Sequence, residues 1–550
     1  MMTTSRDNAL AWLGIAEGAA YLRTRELSPV QWTEALLERI QGSGGAIDAF
    51  LHLDADGALA RARAAEREIA RGHDLGPLHG VPCAIKDIFE TADMPTTAHS
   101  RLLMNHRPGR DAAAVSRMRA AGAVLLGKTA THEFAHGGPS VDLPWPPARN
   151  PWNLAHFSGG SSSGSGAALA AGLVPAALGT DTGGSIRIPA SLCGVTGLKP
   201  TYGRVSRAGV FALSPSLDTA GPMARSARDC ALMLQAIAGH DAADPASAAV
   251  AVPDYSAALV GHLKGIRVGV IRHFFETELR ANPEAVAALD NAIAALRDCG
   301  AHITPITLAP MMAYSDVRVL IQEAEAFAIF HAALCERADS FGQDFLGRVL
   351  PGCLVPAFAQ TQAHRKRRLL TAHMRAAFEQ VDAMVTIGPG PAPRFDAPES
   401  HGFLYGLWSD KPNLLAPFSV SGFPTLSVCT GFASNGLPTS MQIVTRPWDE
   451  ATALRIGDAF QGLTDWHRRH PLDPAGSIDP VQLAEPAPAE PLDQSMISWI
   501  DACLSHAQLA LTDSQRALVY QAAPRVKRMI ARLGTLEDRA VEPAAIFRLD

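Results

Sequence analysis

Three short stretches carry residues whose types and spacing suit acyl-transfer chemistry. The first is Gly80-Val81-Pro82-Cys83-Ala84-Ile85-Lys86-Asp87, an apolar run that ends on a lysine. An ammonium is costly to bury, so burial would favour the neutral amine, which can act as a base. The second is Gly159-Gly160-Ser161-Ser162-Ser163-Gly164-Ser165-Gly166, which passes without a break into an alanine-rich apolar run. Serine and glycine at the head of such a run suit a helix N-terminus, whose free N–H groups favour negative charge. The third is Leu178-Gly179-Thr180-Asp181-Thr182-Gly183-Gly184-Ser185-Ile186-Arg187. If a strand ends there and two glycines turn the chain, the amides of Thr182, Gly183, Gly184 and Ser185 could point at one spot, as an oxyanion hole requires. Taken singly, each stretch has a plainer reading: Lys86 as a surface lysine paired with Asp87, the Gly/Ser run as a flexible linker, the third as an ordinary turn.

The elements around these stretches read as an α/β protein with a mixed or largely parallel sheet. Residues 1–75 read as helical. Ser28-Pro29-Val30-Gln31 has the pattern of a helix cap with proline at the first position, and residues 56–70 form a second amphipathic stretch. Residues 76–475 form the α/β core. In it, β-like runs (79–87, 121–128, 172–181) alternate with helical ones, and residues 265–305 repeat the alternation. Residues 306–410 look irregular and mostly helical, whereas 424–445 read as two strands joined at Asn435-Gly436. Residues 476–491, with AEPAPAEP at their end, read as a linker. Residues 492–550 carry two helical patterns, the second opened by the capping box Thr512-Asp513-Ser514-Gln515.

Bulk properties exclude several classes of function. A chain of 550 residues with 47% hydrophobic content can bury a large core, and a net charge of −6 gives no basic footprint for nucleic acid or an anionic membrane. Eight scattered cysteines without a CxxC pair suggest buried thiols in a reducing compartment, so a cytoplasmic location is expected. No leader or membrane-length apolar run is evident. The 19 histidines show no HExxH spacing, and the Gly/Ser run lacks the G-K-[ST] ending of a phosphate loop.

Considered together, the stretches resemble the amidase signature family. The resemblance rests on Lys86, GGSSSGSG at 159–166, GTDTGGSIR at 179–187 and GLKPTYGRVS at 197–206, with Ser161 and Ser185 standing 24 positions apart. Flanking segments at 111–135, 150–153 and 431–460 agree, and the likeness runs from about residue 8 to about residue 465. It implies a large mixed β-sheet covered by helices on both faces, and a Ser–cis-Ser–Lys triad. In that triad Ser185 is the nucleophile, Ser161, after a cis Gly160–Ser161 bond, is the bridge, and Lys86 is the neutral base. It further implies C–N bond hydrolysis through an acyl-serine, with oxyanion donors at Thr182–Ser185 and supporting roles for Asp181 and Arg187. A small-molecule amide, carbamate or biuret-like substrate is implied, with no cofactor or metal, no nucleic acid, no membrane, and a homodimer by family habit. One departure is Ser163, where the family usually has glycine; a positive φ there would strain a serine.

The segment 492–550 resembles the small accessory subunits of the tRNA-dependent amidotransferase and of carboxybiuret hydrolase, most of all in its ending EPAAIFR, and is expected to dock on the core. Two other readings remain. An α/β-hydrolase-type esterase would use Ser162 within Gly160-Ser161-Ser162-Ser163-Gly164, with His136-Gly137-Gly138-Pro139 as its oxyanion element. An amidotransferase-type subunit would work with protein partners and tRNA. Phe403, Tyr405 and Trp408 are candidate pocket walls, with core packing as their plainer role.

Overall fold

The computed structural model describes residues 9–400, 407–472, 479–484, 489–534 and 541. Among these, eleven strands form one mixed sheet: β1 (Phe50–Leu53), β2 (Pro82–Lys86), β3 (Val124–Thr129), β4 (Ala176–Asp181), β5 (Thr196–Lys199), β6 (Thr219–Ala224), β7 (Arg267–Val270), β8 (His302–Pro305), β9 (Ala383–Ile387), β10 (Thr425–Phe432) and β11 (Pro438–Thr445). Their order across the sheet is β1-β3-β2-β4-β6-β5-β10-β11-β9-β7-β8. β2 runs parallel to β3 and β4, with Ile85 beside Leu178, so Lys86 and Asp181 end their strands on the same edge of the sheet. Loops at strand C-termini in such sheets are where ligands bind.

Two strands lie where the sequence reads as helical. β1 falls within residues 1–75 and pairs antiparallel with β3 at the sheet margin. β9 falls within 306–410 and joins β11 to β7, so the last two strands reach the sheet through it. The Ser28–Gln31 cap forms, with Val30 N donating to Ser28 Oγ at 3.0 Å and Ser28 N to Gln31 Oε1 at 3.3 Å. The turn at Asn435-Gly436 joins β10 to β11 as expected, with Gly436 at φ +77°.

The Gly/Ser run is not a linker. Every residue from Phe157 to Ala171 is buried, and Ser163–Ala170 forms a helix wedged under the sheet edge. Small residues are needed there for contact: a Cβ on Gly164 would lie 2.2 Å from Ala49 O and 2.4 Å from Ala130 N. Ser163 opens this helix and is not among the residues with positive φ, so a serine sits there without strain.

At the C-terminal side, helix Asp513–Leu533 packs on helices Met311–Arg337 and Gln343–Val349, and helix Gln494–His506 packs on Asp513–Leu533 and on the helical turn Leu350–Leu354. The Thr512 capping box forms in both directions, at 3.0 and 3.3 Å. Docking is polar as well as apolar. Ala507 O accepts from His331 at 2.8 Å, Gln515 Nε2 donates to Asp339 at 2.9 Å, and Arg532 grips Asp316 with two bonds of 2.8 Å. Residues 479–484 also lie on the core, where Ala484 N donates to Phe395 O at 3.0 Å. The EPAAIFR ending lies outside the described residues, as do Phe403 and Tyr405. No described helix is long and apolar enough to cross a membrane.

Candidate active site

Lys86 is wholly buried at the end of β2, with its Nζ 2.8 Å from both Ser161 Oγ and Thr180 Oγ1. Asp87 does not neutralise it. Successive strand residues face opposite sides, and Asp87 pairs with Lys128 at 2.9 Å and accepts from Thr97. Burial pushes the Lys86 amine down to about 7, while Asp181 and Asp218 keep it from falling further. At neutral pH a large share of the chains therefore hold an uncharged amine against Ser161.

Ser161 follows a cis Gly160–Ser161 peptide bond. Gly160 must lack a side chain because the His132 ring lies against it: a Cβ there would be 2.0 Å from His132 Cε1. Burial pushes His132 down to about 4, so the ring is neutral, and its Nδ1–H donates to Gly137 O at 2.6 Å. His132 N also donates to Ser161 O, which anchors the serine from its backbone side.

Ser185 stands in the loop after β4, half-buried and open to a cavity of about 400 Å³. Ser162 N donates to Ser185 O at 3.2 Å, tying this loop to the Gly/Ser run one residue past Ser161. The loop is also held from below. Arg187 donates to both carboxylate oxygens of Asp181 at 2.9 Å, and both residues are fully buried. Burial alone would raise the Asp181 carboxyl, yet the Arg187 guanidinium brings it below its ordinary range. Arg187 further reaches Ser419, Gln442 and Leu415 O, so these two residues act as a structural clamp. Thr182 Oγ1 donates to Asp218 at 2.5 Å.

One expectation is corrected here. Gly184 N donates to Asp181 Oδ1 at 2.8 Å, so this amide is turned inward and leaves the oxyanion donor set. The amides of Thr182, Gly183 and Ser185 have no acceptor among the described residues. A Cβ on Gly184, at φ +128°, would lie 2.5 Å from Leu415 Cδ1, which accounts for glycine there.

Ser162 is unsuited to the esterase reading. It is fully buried, and its Oγ bridges the Thr180 backbone, donating to the carbonyl and accepting from the amide at 3.3 Å each. His136 and Gly137 do line the cavity, but His136 Nε2 is engaged with Glu323 at 3.0 Å. Trp408 is a packing residue: it is buried, donates to Arg348 O at 3.1 Å and faces a second cavity, beside the tail residue Leu518.

Several site residues escaped the sequence reading: Thr180 at Lys86, His132 under Gly160, Arg318 and Gln322 in the cavity wall, and Met529 from the C-terminal helix. Arg318 left a signal, since it interrupts the apolar run Val317-Arg318-Val319-Leu320-Ile321. His132 and Met529 left none, because their roles arise only when distant segments meet.

A family model described as Amidase matches residues 31–454. The A subunit of the glutamyl-tRNA(Gln) amidotransferase of Roseiflexus sp. (strain RS-1) is 42% identical over 490 residues, covering 84% of this chain and 98% of that protein. Among solved structures, the native peptide amidase of Stenotrophomonas maltophilia matches with a TM-score of 0.71 and 33% identity, covering 84% of this chain and 98% of the other. A structure described as a vestigial protein complex revealing the evolutionary origins of an s-triazine catabolic enzyme matches with a TM-score of 0.77 and 34% identity, covering 82% and 98%. The name of the first relative carries a tRNA, which stands against the expectation, drawn from charge, of no nucleic-acid partner.

Proposed function

We infer the reaction from one premise: the chain belongs to the amidase family, enzymes that act on C–N bonds. We propose that it hydrolyses the C–N bond of a small amide, carbamate or biuret-like compound through an acyl-enzyme on Ser185. The observation that carries this reading is the buried Lys86 amine, brought down to about 7 and 2.8 Å from Ser161, beside the loop that presents Ser185 to the cavity.

In the resting state the Ser161 O–H donates to the Lys86 lone pair, and a Lys86 N–H donates to Thr180 Oγ1. Ser185 Oγ attacks the carbonyl carbon as its proton passes to Ser161 and the Ser161 proton passes to Lys86, which becomes an ammonium. The carbonyl electrons collect on oxygen, which the amides of Thr182, Gly183 and Ser185 receive. When the intermediate collapses, the C–N bond breaks and the proton returns from Lys86 through Ser161 to the leaving nitrogen. Water then attacks the acyl-serine as the relay takes its proton; when this intermediate collapses the bond to Ser185 Oγ breaks, the proton returns through Ser161 to Ser185, and the acid product leaves.

The identity to the amidotransferase relative favours a second reading. In it the nitrogen freed at Ser185 is handed, with partner proteins, to a glutamyl-tRNA acceptor. Both readings share the acyl-serine step. The discriminating assay follows ammonia or amine release by the purified chain on a panel of amides, carbamates and ureas. Release by the chain alone, lost in Ser185→Ala, is the expected result; a requirement for tRNA and ATP would move the conclusion to the second reading.

A further inference from the structure

The cavity holds a hydrogen-bond acceptor that the proton relay does not use. His132 lines the cavity with Gly159, Gly160 and Ser185 and is 8% exposed. Its Nδ1 faces the Gly137 carbonyl at 2.6 Å. A carbonyl oxygen only accepts, so Nδ1 carries the ring proton and, in the neutral ring, Nε2 carries a lone pair. Burial keeps the ring neutral, with its titration brought down to about 4. Nε2 bonds to no described residue and is not sealed off from space either, so it opens on the cavity.

The amide side chains in the same wall have their oxygens engaged. Asn282 Oδ1 accepts from the amides of Glu284 and Ala285, Asn413 Oδ1 from that of Leu415, and Gln322 Oε1 from Arg318. The His132 ring is also held at a definite spot. Its backbone N–H donates to Ser161 O at 3.1 Å, and a Cβ on Gly160 would lie 2.5 Å from Nε2. The lone pair therefore stands beside the residue before Ser161, where the relay returns its proton. The oxyanion donors Thr182, Gly183 and Ser185 belong to the other loop. A nitrogen that takes a proton from Ser161 lies within hydrogen-bond reach of it, which brings its own N–H groups next to this ring. An N–H enclosed there without an acceptor would be costly.

We propose that His132 Nε2 accepts a hydrogen bond from an N–H on the leaving nitrogen of the substrate. The site then selects amides, and carbamate or ureido compounds, whose leaving nitrogen keeps a hydrogen. This deepens the proposed function by naming what the substrate must present, and it rests on the reading of Ser185 as nucleophile and Ser161 as its bridge. Because Nδ1 is committed to Gly137, the ring offers the substrate an acceptor and no donor.

The test compares benzamide, with two N–H bonds on the leaving nitrogen, with N,N-dimethylbenzamide, which has none, scored as the ratio of their kcat/KM values. Two variants remove the acceptor in different ways. His132→Phe keeps a ring against Gly160, and His132→Asn keeps a donor for Gly137 O but vacates the rest of the ring. The ratio should fall about tenfold in both, the range of one hydrogen bond. A ratio that stays while both substrates slow equally overturns the proposal, since His132 then acts only by placing Ser161. So does a fall in one variant alone, since lost shape or lost anchoring at Gly137 would then be the cause. Calorimetric titration with benzamide in a Ser185→Ala chain gives a readout independent of turnover: binding should weaken about tenfold when His132→Phe is added. Equal binding with and without the ring acceptor, or no binding in either chain, sinks the idea. Absence of turnover on every amide would instead strike the acyl-serine reading, while the benzamide titration still decides this one.

Discussion

Replacing Lys86 by arginine removes the base while keeping the charge, and the pH profile of the intact chain gives the magnitude to expect. With the Lys86 amine at about 7, about one chain in ten carries the neutral form at pH 6, and about one in a hundred at pH 5. The value of kcat/KM should therefore fall about tenfold per pH unit below 7 and level off above it. Arginine stays protonated throughout this range. Lys86→Arg should lose about 100- to 10,000-fold in turnover and recover none of it up to pH 10. Thr180→Val should shift the inflection to lower pH, because Thr180 Oγ1 accepts from Lys86 and this acceptor favours the ammonium over the amine. Lys199 is the necessary control. Burial brings it too to about 7, yet its Nζ donates to Pro200 O, away from either serine. Lys199→Met should keep the inflection. The assay is amine release from a fixed amide between pH 5 and 10, with thermal melting to verify folding. A flat profile from pH 5 to 8, or an inflection that vanishes with Lys199 rather than Lys86, would refute the reasoning.

Three further outcomes follow from the geometry. Ser162→Ala should retain turnover within a few-fold and lose about 1 kcal/mol of stability from its two bonds to Thr180, read by kinetics and chemical denaturation. Gly160→Ala drives a methyl into the His132 ring and should cost about 100-fold or more in kcat by displacing Ser161; His132→Ala in the same chain should return part of it. Asp181→Asn leaves the fully buried Arg187 without an ionised partner and should destabilise by about 3–5 kcal/mol, visible as a lowered melting temperature.

Much of this site was legible because its parts are short and locally determined. Residue chemistry within ten positions allows a lysine closing an apolar run, a Gly/Ser helix start and a glycine turn after a strand, but each alone has a plainer reading, and it is their order together, matched to the family they resemble, that selects the site. The strands β1 and β9 were not legible for the opposite reason. Four or five apolar residues fit a strand or a helix equally well, and only pairing with β3, β7 and β11 selects the strand. The Gly184 amide illustrates another limit. Spacing placed it among the donors, but Asp181, three residues earlier, folds back and takes it. Ser163 marks the reverse case, a residue that looked strained in the sequence and proved to be an ordinary first residue of a helix. Arg318 and Met529 reach the cavity from helices far along the chain, so no local pattern fixes their position.

Helix Asp513–Leu533 places Met529 in the wall of the same cavity as Ser185 and is fastened there through Arg532 to Asp316 and through Arg528 to Asp410. Because this helix belongs to the same polypeptide, its supply is always one copy per nucleophile, at an effective concentration set by the tether rather than by expression. Dilution cannot strip that wall away. Turnover per molecule should thus be independent of enzyme concentration down to the lowest levels assayed, unlike that of a catalyst completed by a separable piece.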